Sequence, residues 1–119
     1  MIYLDNAATT QIAPEVLEAM MPYLTDEFGN AGSLYALGRR AAEAVATARK
    51  QVADCIGAQP EQIIFTSGGT EANNIVFKGL APYLKANNKT HLITSKVEHD
   101  SVLNTVQEMN TKLEFDVSF

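Results

Sequence analysis

Two short segments carry residue types suited to chemistry. The first is Thr66-Ser67-Gly68-Gly69-Thr70-Glu71. Its adjacent glycines let backbone amides approach an anion closely, and the Ser67 and Thr70 hydroxyls can donate to the anion's oxygens. It lacks the closing Gly-Lys-Ser/Thr of a nucleoside-triphosphate loop and the spacing of a dinucleotide fingerprint, so a monophosphate is the better match. The competing reading is an ordinary turn with Ser67 or Thr70 as a helix cap and Glu71 as a first-turn carboxylate favoured by the helix dipole. The second segment is Ser95-Lys96-Val97-Glu98-His99-Asp100. The His99 imidazole can stack on a flat aromatic ligand or move a proton near neutral pH. Judged alone, it reads as a solvated loop histidine.

The other reactive side chains read as structural. His91 sits at the opening edge of a strand and faces away from any such pocket, and nothing near Lys96 suggests the burial that activates an amine. Cys55 falls on an apolar helical stripe and is expected inside a helix interface, because a reactive thiolate needs an accessible, electropositive setting. As the only cysteine it can form neither an internal disulfide nor a metal site by itself, and no metal is expected.

The elements that must position the two segments follow from periodicity. Leu17, Met20, Met21 and Leu24 share one face of a helix that Pro14 opens. Thr25 to Ser33 has no period and is expected to be a flexible loop. Ala41, Val45, Ala48, Val52, Cys55 and Ile56 line a longer helix that Gly57 can close in a left-handed turn. Ile63-Ile64-Phe65-Thr66 reads as a buried strand. Beyond it, Ala72, Ile75, Val76, Gly79, Leu80 and Tyr83 mark a helix face, with Pro82 expected to kink or end that helix. Leu92-Ile93-Thr94 is a second strand. Then Val102, Leu103, Val106 and Met109 mark another helix, and Leu113, Phe115, Val117 and Phe119 alternate with polar residues as a half-solvated strand should.

Strand, helix and strand make a parallel βαβ unit, so the class is α/β. Ligands gather outside the carboxyl ends of parallel strands, and both segments leave such ends on one edge. That shared edge raises His99 above an ordinary loop residue. Only about three strands are in hand where sheets usually have ~4 to 6, so a further part of the fold is expected.

Composition narrows the function classes. The 119 residues are 46% hydrophobic and 19% charged, as in a globular domain. The net charge of -5 and the lack of a basic cluster argue against nucleic acid as a partner. No apolar run approaches the ~20 residues of a membrane span and the start has no signal-peptide pattern, which points to no membrane and to the cytoplasm.

At these residues the chain resembles the cysteine desulfurases, in the class V branch of pyridoxal-phosphate enzymes. The resemblance runs from Tyr3-Leu4-Asp5-Asn6-Ala7-Ala8-Thr9-Thr10 through Phe28-Gly29-Asn30 and the stretch Ile63 to Asn74, to Glu98-His99 with Val102-Leu103. It implies the N-terminal part of an aspartate-aminotransferase-like fold: an N-terminal arm and helices over residues 1–60, then the start of the cofactor-binding α/β domain over 61–119. It implies pyridoxal 5'-phosphate as cofactor, with Gly69 and Thr70 on its phosphate and His99 stacked on its ring, where it also relays protons. It implies L-cysteine as substrate, L-alanine and an enzyme persulfide as products, and a homodimer that passes sulfur to an acceptor or scaffold protein for iron-sulfur or thio-cofactor assembly. The family's cofactor-attaching lysine, pyridine-facing aspartate, carboxylate-binding arginine and nucleophilic cysteine would lie downstream of Phe119, so the segment alone is expected to be inactive. Ala31-Gly32 and Tyr35 depart from the family's usual Pro-Ser and histidine, which bears on substrate subclass. Selenocysteine lyase or aminotransferase chemistry, or a non-catalytic interaction module that retains the phosphate loop, are the alternatives.

Overall fold

Pro14 opens α1 (Pro14–Thr25) at the position where its missing amide costs no hydrogen bond. The stripe of Leu17, Met20, Met21 and Leu24 runs along this helix, yet none of its residues is buried. Residues 2–119 are described by the computed structural model, which divides into two units, Met1–Ile63 and Ile64–Phe119.

In the first unit, α2 (Ala36–Ile56) ends as expected, with Gly57 in the left-handed region at φ 67° and its amide on the Ala53 carbonyl. Its buried residues are Gly38 and Ala53, while Val45, Val52 and Ile56 stay exposed. Cys55, expected inside a helix interface, is exposed as well, because no apolar surface of this unit closes over that stripe among the described residues.

The segment between the two helices is tied down rather than loose. The Asn30 side chain accepts the Gly32 amide at 2.8 Å, and the Ser33 amide donates to the Asn30 carbonyl at 2.9 Å. A Cβ on Gly29 would overlap the Leu37 carbonyl, and one on Gly38 would overlap the Ser33 and Asn30 carbonyls. Close backbone approach therefore requires glycine at both places. The Arg40 side chain adds an ion pair to Glu27 at 2.7 Å. A single 3₁₀ turn, Pro60–Gln62, follows α2, and the Arg49 guanidinium donates to the Ile63 carbonyl just beyond it.

Ile63 has extended backbone, but the strand expected over residues 63 to 66 does not form. A strand exists through its neighbours, and among the described residues none runs beside this segment. The sheet of the second unit consists of β1 (His91–Ile93) and β2 (Asp116–Ser118), parallel, with His91 opposite Asp116 and Ile93 opposite Ser118. The α/β class holds, but the βαβ unit expected across residues 63 to 94 does not form; the parallel unit present runs from β1 through α4 (Asp100–Leu113) to β2.

The last alternating run is split by the same packing. Leu113 is the final helical residue, Glu114 turns the chain at φ 55°, and only then does β2 begin. Phe115 can thus drop into the core, where it is 1% exposed, beside Ala81 and Met109 with Phe77, Leu84, Leu92 and Leu113 around them.

α3 (Gly69–Ala86) supplies one wall of that core, through Phe77, Ala81 and Leu84. Its predicted face carrying Ile75, Val76, Leu80 and Tyr83 is instead exposed. The helix has two apolar stripes, and α4 covers the one with fewer matches to the simple pattern. Pro82 neither ends nor caps the helix, which continues to Ala86. It removes a single amide donor, and packing of the flanking residues Ala81 and Leu84 keeps the turn helical.

Candidate functional site

The start of α3 leaves backbone donors without a side-chain cap. Gly68 is the cap residue in extended conformation, and the first helical bond runs from the Ala72 amide to the Gly68 carbonyl at 3.1 Å. The Gly69, Thr70 and Glu71 amides therefore precede any carbonyl that could take them within the helix. A Cβ placed on Gly69 would meet nothing within 4 Å, so the space beside these amides is open.

Glu71 organises the loop that leads into this terminus. Its Oε2 accepts the Ser67 amide at 2.6 Å and the Ser67 hydroxyl at 2.7 Å. The backbone bond first, and the hydroxyl second, hold the Glu71 carboxyl below its ordinary range. The Ser67 hydroxyl proton, which the sequence offers to a phosphate, is thus committed to Glu71. Glu71 is a loop clasp as well as a first-turn carboxylate. Thr70 is exposed, with its carbonyl accepting the Asn74 side chain at 2.9 Å.

His99 stands at the start of α4 as its cap residue, an uncommon choice at a position favoured by Ser, Thr, Asp and Asn. Its Nδ1 accepts the Ser101 amide at 3.0 Å and lies 2.9 Å from the Ser101 hydroxyl. Behind it, the Asn73 Nδ2 donates to the Ser101 Oγ at 2.8 Å, which ties α3 to α4 beneath the imidazole. Ser101 is buried, and its carbonyl accepts the Thr105 hydroxyl at 2.7 Å. Nothing in the periodicity singled out Asn73 or Ser101. The available signal was a pair of small polar residues on the inward faces of two adjoining helices.

Thr70 and His99 line one cleft of about 300 Å³, together with Asn74, Ser101, Asn104 and Glu108. Gly69 is not part of that lining and contributes at the helix end one residue earlier. Glu108 bonds Lys78 at 2.7 Å and Lys112 at 3.2 Å, and the Lys78 bond foremost holds its carboxyl below the ordinary range. Of the two acids that line the cleft, Glu108 is paired with lysines and Asp100 is exposed in the first turn of α4.

His91 lies at the opening edge of β1 with its Nε2 2.8 Å from the Ser118 hydroxyl. Lys96 is exposed in the loop after β1. Among the described residues no group of three His, Cys, Asp or Glu side chains could hold a metal, and no helix is long and apolar enough to cross a membrane. A larger hollow of about 700 Å³ in the first unit is lined by Tyr23, Phe28, Ala41, Val45 and Ala48 among others. It contains none of the predicted chemical side chains.

Comparison with known proteins bears on this arrangement. The family model for class V aminotransferases matches residues 2–119. A cysteine desulfurase IscS of Methanosarcina thermophila is 47% identical over 104 residues, 87% of this chain and 26% of that protein. A cysteine desulfurase of Trichormus azollae is 49% identical over 111 residues, 93% of this chain and 27% of that protein. Among solved structures, a NifS-like protein superposes with a TM-score of 0.89 at 35% identity, covering 99% of this chain and 32% of its own. SspA in complex with cysteine gives 0.85 at 42% identity, covering 98% and 33%. The chain spans about a quarter to a third of the proteins it matches.

Proposed function

The chain belongs to the aminotransferase class-V family, and from that premise we propose that it is the N-terminal segment of a pyridoxal-phosphate-dependent cysteine desulfurase. The enzyme as a whole takes sulfur from L-cysteine, leaving L-alanine and an enzyme persulfide. The observation that carries the reading is the convergence of a glycine-opened helix terminus, Thr70 and His99 beside one cleft, in a segment similar throughout to cysteine desulfurases.

The residues present fit the cofactor. A phosphate requires amide donors, positive potential and room, and the start of α3 offers unpaired amides at Gly69 and Thr70, the helix dipole and open space over Gly69. Gly69 and Thr70 would hold the phosphate through their amides and the Thr70 hydroxyl, and His99 would orient the cofactor's ring. When bound, the cofactor supplies an electron sink for the substrate amino acid. Residues 61–119 then open the cofactor-binding domain and residues 1–60 form the arm and helices before it. Ser67 acts at one remove, since its bonds to Glu71 shape the loop rather than touch the phosphate.

The remaining parts of the activity fall outside the segment. Cofactor attachment needs an amine placed at the aldehyde, and sulfur abstraction needs an activated thiolate. Neither Cys55 on α2 nor Lys96 in its exposed loop is among the residues that line the cleft with Thr70 and His99. The isolated segment is therefore inactive. The full enzyme is a cytoplasmic homodimer that hands sulfur to an acceptor or scaffold protein for iron-sulfur or thio-cofactor assembly.

The test is cofactor titration of the full-length enzyme carrying Thr70→Ala. Loss of one charge-assisted hydrogen bond should weaken retention by about tenfold without loss of fold, and His99→Ala should shift the cofactor's absorbance band and slow sulfide release. Unchanged affinity together with an unchanged spectrum would defeat the assignment.

A further inference from the structure

We propose that Asn73 and Ser101 are positioning residues that fix the neutral His99 ring with its proton on Nε2. This deepens the proposed function and rests on His99 being the residue that meets the cofactor.

The direction of the relay follows from what each atom can do. The Ser101 backbone N–H can only donate, so the His99 Nδ1 that receives it at 3.0 Å presents a lone pair. The Asn73 Nδ2 carries only hydrogens, so at 2.8 Å it occupies a lone pair of the Ser101 Oγ. The single hydroxyl proton of Ser101 is then left to point at Nδ1, 2.9 Å away. Two donors thus converge on one ring nitrogen. A neutral imidazole has one N–H, and with Nδ1 accepting, it lies on Nε2.

Burial makes the relay hold. Ser101 is 8% exposed and its carbonyl is taken by Thr105, so its hydroxyl has little water with which to turn the other way. Asn73 is half-buried on α3, so the packing of α3 on α4 sets the tautomer. The consequence is chemical: His99 offers a proton donor at Nε2, the ring nitrogen not held by Ser101. It orients and polarises an acceptor there and does not begin as a base at that nitrogen.

The chain has two histidines, so His91→Gln leaves one imidazole to observe by nitrogen NMR of the 119-residue chain labelled at histidine. In this background His99 should show an unprotonated Nδ1 and a protonated Nε2 in the neutral ring. Asn73→Asp places a carboxylate where the amide was, which takes the Ser101 proton and turns a lone pair toward Nδ1. The share of the Nδ1–H form should then rise about tenfold, the effect of one hydrogen bond. Ser101→Ala should move the nitrogens the same way by less, because it removes a donor from Nδ1 without placing an acceptor there, and Ser101→Thr should restore the parent pattern. Averaged nitrogen shifts in the unmutated relay, or an unmoved pattern in folded Asn73→Asp, would overturn the proposal. If Asn73→Asp does not fold, as judged by circular dichroism, Ser101→Ala against Ser101→Thr decides in the same way. Failure of the full-length protein to bind pyridoxal phosphate would defeat the proposed function and leave this nitrogen spectrum unchanged.

Discussion

The two units of the chain use similar sequence patterns to different effect. In Ile64–Phe119 the side chains of Phe115, Met109 and Val106 are fully buried, and a helix pair and a parallel strand pair close around them. Among the described residues of Met1–Ile63 no large apolar side chain is buried; Leu17, Met20 and Met21 on α1 and Val45 and Val52 on α2 remain exposed. What orders the first unit is backbone fit: glycines at close approach, the Asn30 turn, the Tyr3 hydroxyl on the Asp5 carbonyl at 2.8 Å, and the Arg49 bond to Ile63. An amphipathic stripe identifies a helix, but whether it stabilises anything depends on a surface that arrives from elsewhere in the fold.

The largest effect that would sharpen this contrast is Phe115→Ala. Removing a fully buried ring should cost ~3 to 5 kcal/mol and unfold the second unit, whereas Leu17→Ala on exposed α1 should stay within about 0.5 kcal/mol. Urea melts of both variants followed by circular dichroism check it. Equal losses would mean that α1 is buried in solution and the contrast is false.

Next comes Gly38→Ala, which alters no apolar side chain. The added methyl overlaps the Ser33 and Asn30 carbonyls and should cost about 1 to 3 kcal/mol in the first unit. A neutral result, with Gly29→Ala neutral too, would show that the loop does not sit on α2.

A smaller gain is expected from Glu114→Gly. Glu114 closes α4 in the left-handed region at φ 55°, which costs a side-chain-bearing residue about 1 kcal/mol, and its ion pair to Lys85 at 3.4 Å is exposed. Thermal melting should rise slightly, and a fall would mean that the Lys85 pair outweighs the strain.

The smallest effect is one of pH. Glu71 has its carboxyl lowered by the Ser67 bonds, so its contribution is present above the ordinary glutamate range and fades as pH falls through the depressed value. The Ser67 amide resonance should move in that acid window and hold still in Glu71→Gln. An amide that moves equally in both would remove Glu71 as the clasp.

The sequence alone determined the helices, because 3.6-residue periodicity and the signals of Pro14 and Gly57 act within a few residues of themselves. It also offered Gly69, Thr70 and His99 as candidate cofactor residues, the first two from a glycine-opened loop ahead of a helix and His99 from its own loop and the family resemblance. Only the tertiary structure decided which apolar face is covered. α3 carries two stripes, and α4 chose the one with Phe77 and Ala81. It likewise decided that residues 63 to 66 stay unpaired while residues 91 to 93 and 116 to 118 form the sheet, and that Phe115 enters the core after the turn at Glu114. The Asn73–Ser101–His99 relay belongs with these, joining residues 28 positions apart through one hydrogen bond. Strand pairing, burial and such a bond depend on which distant segment arrives alongside, and no local pattern carries that information.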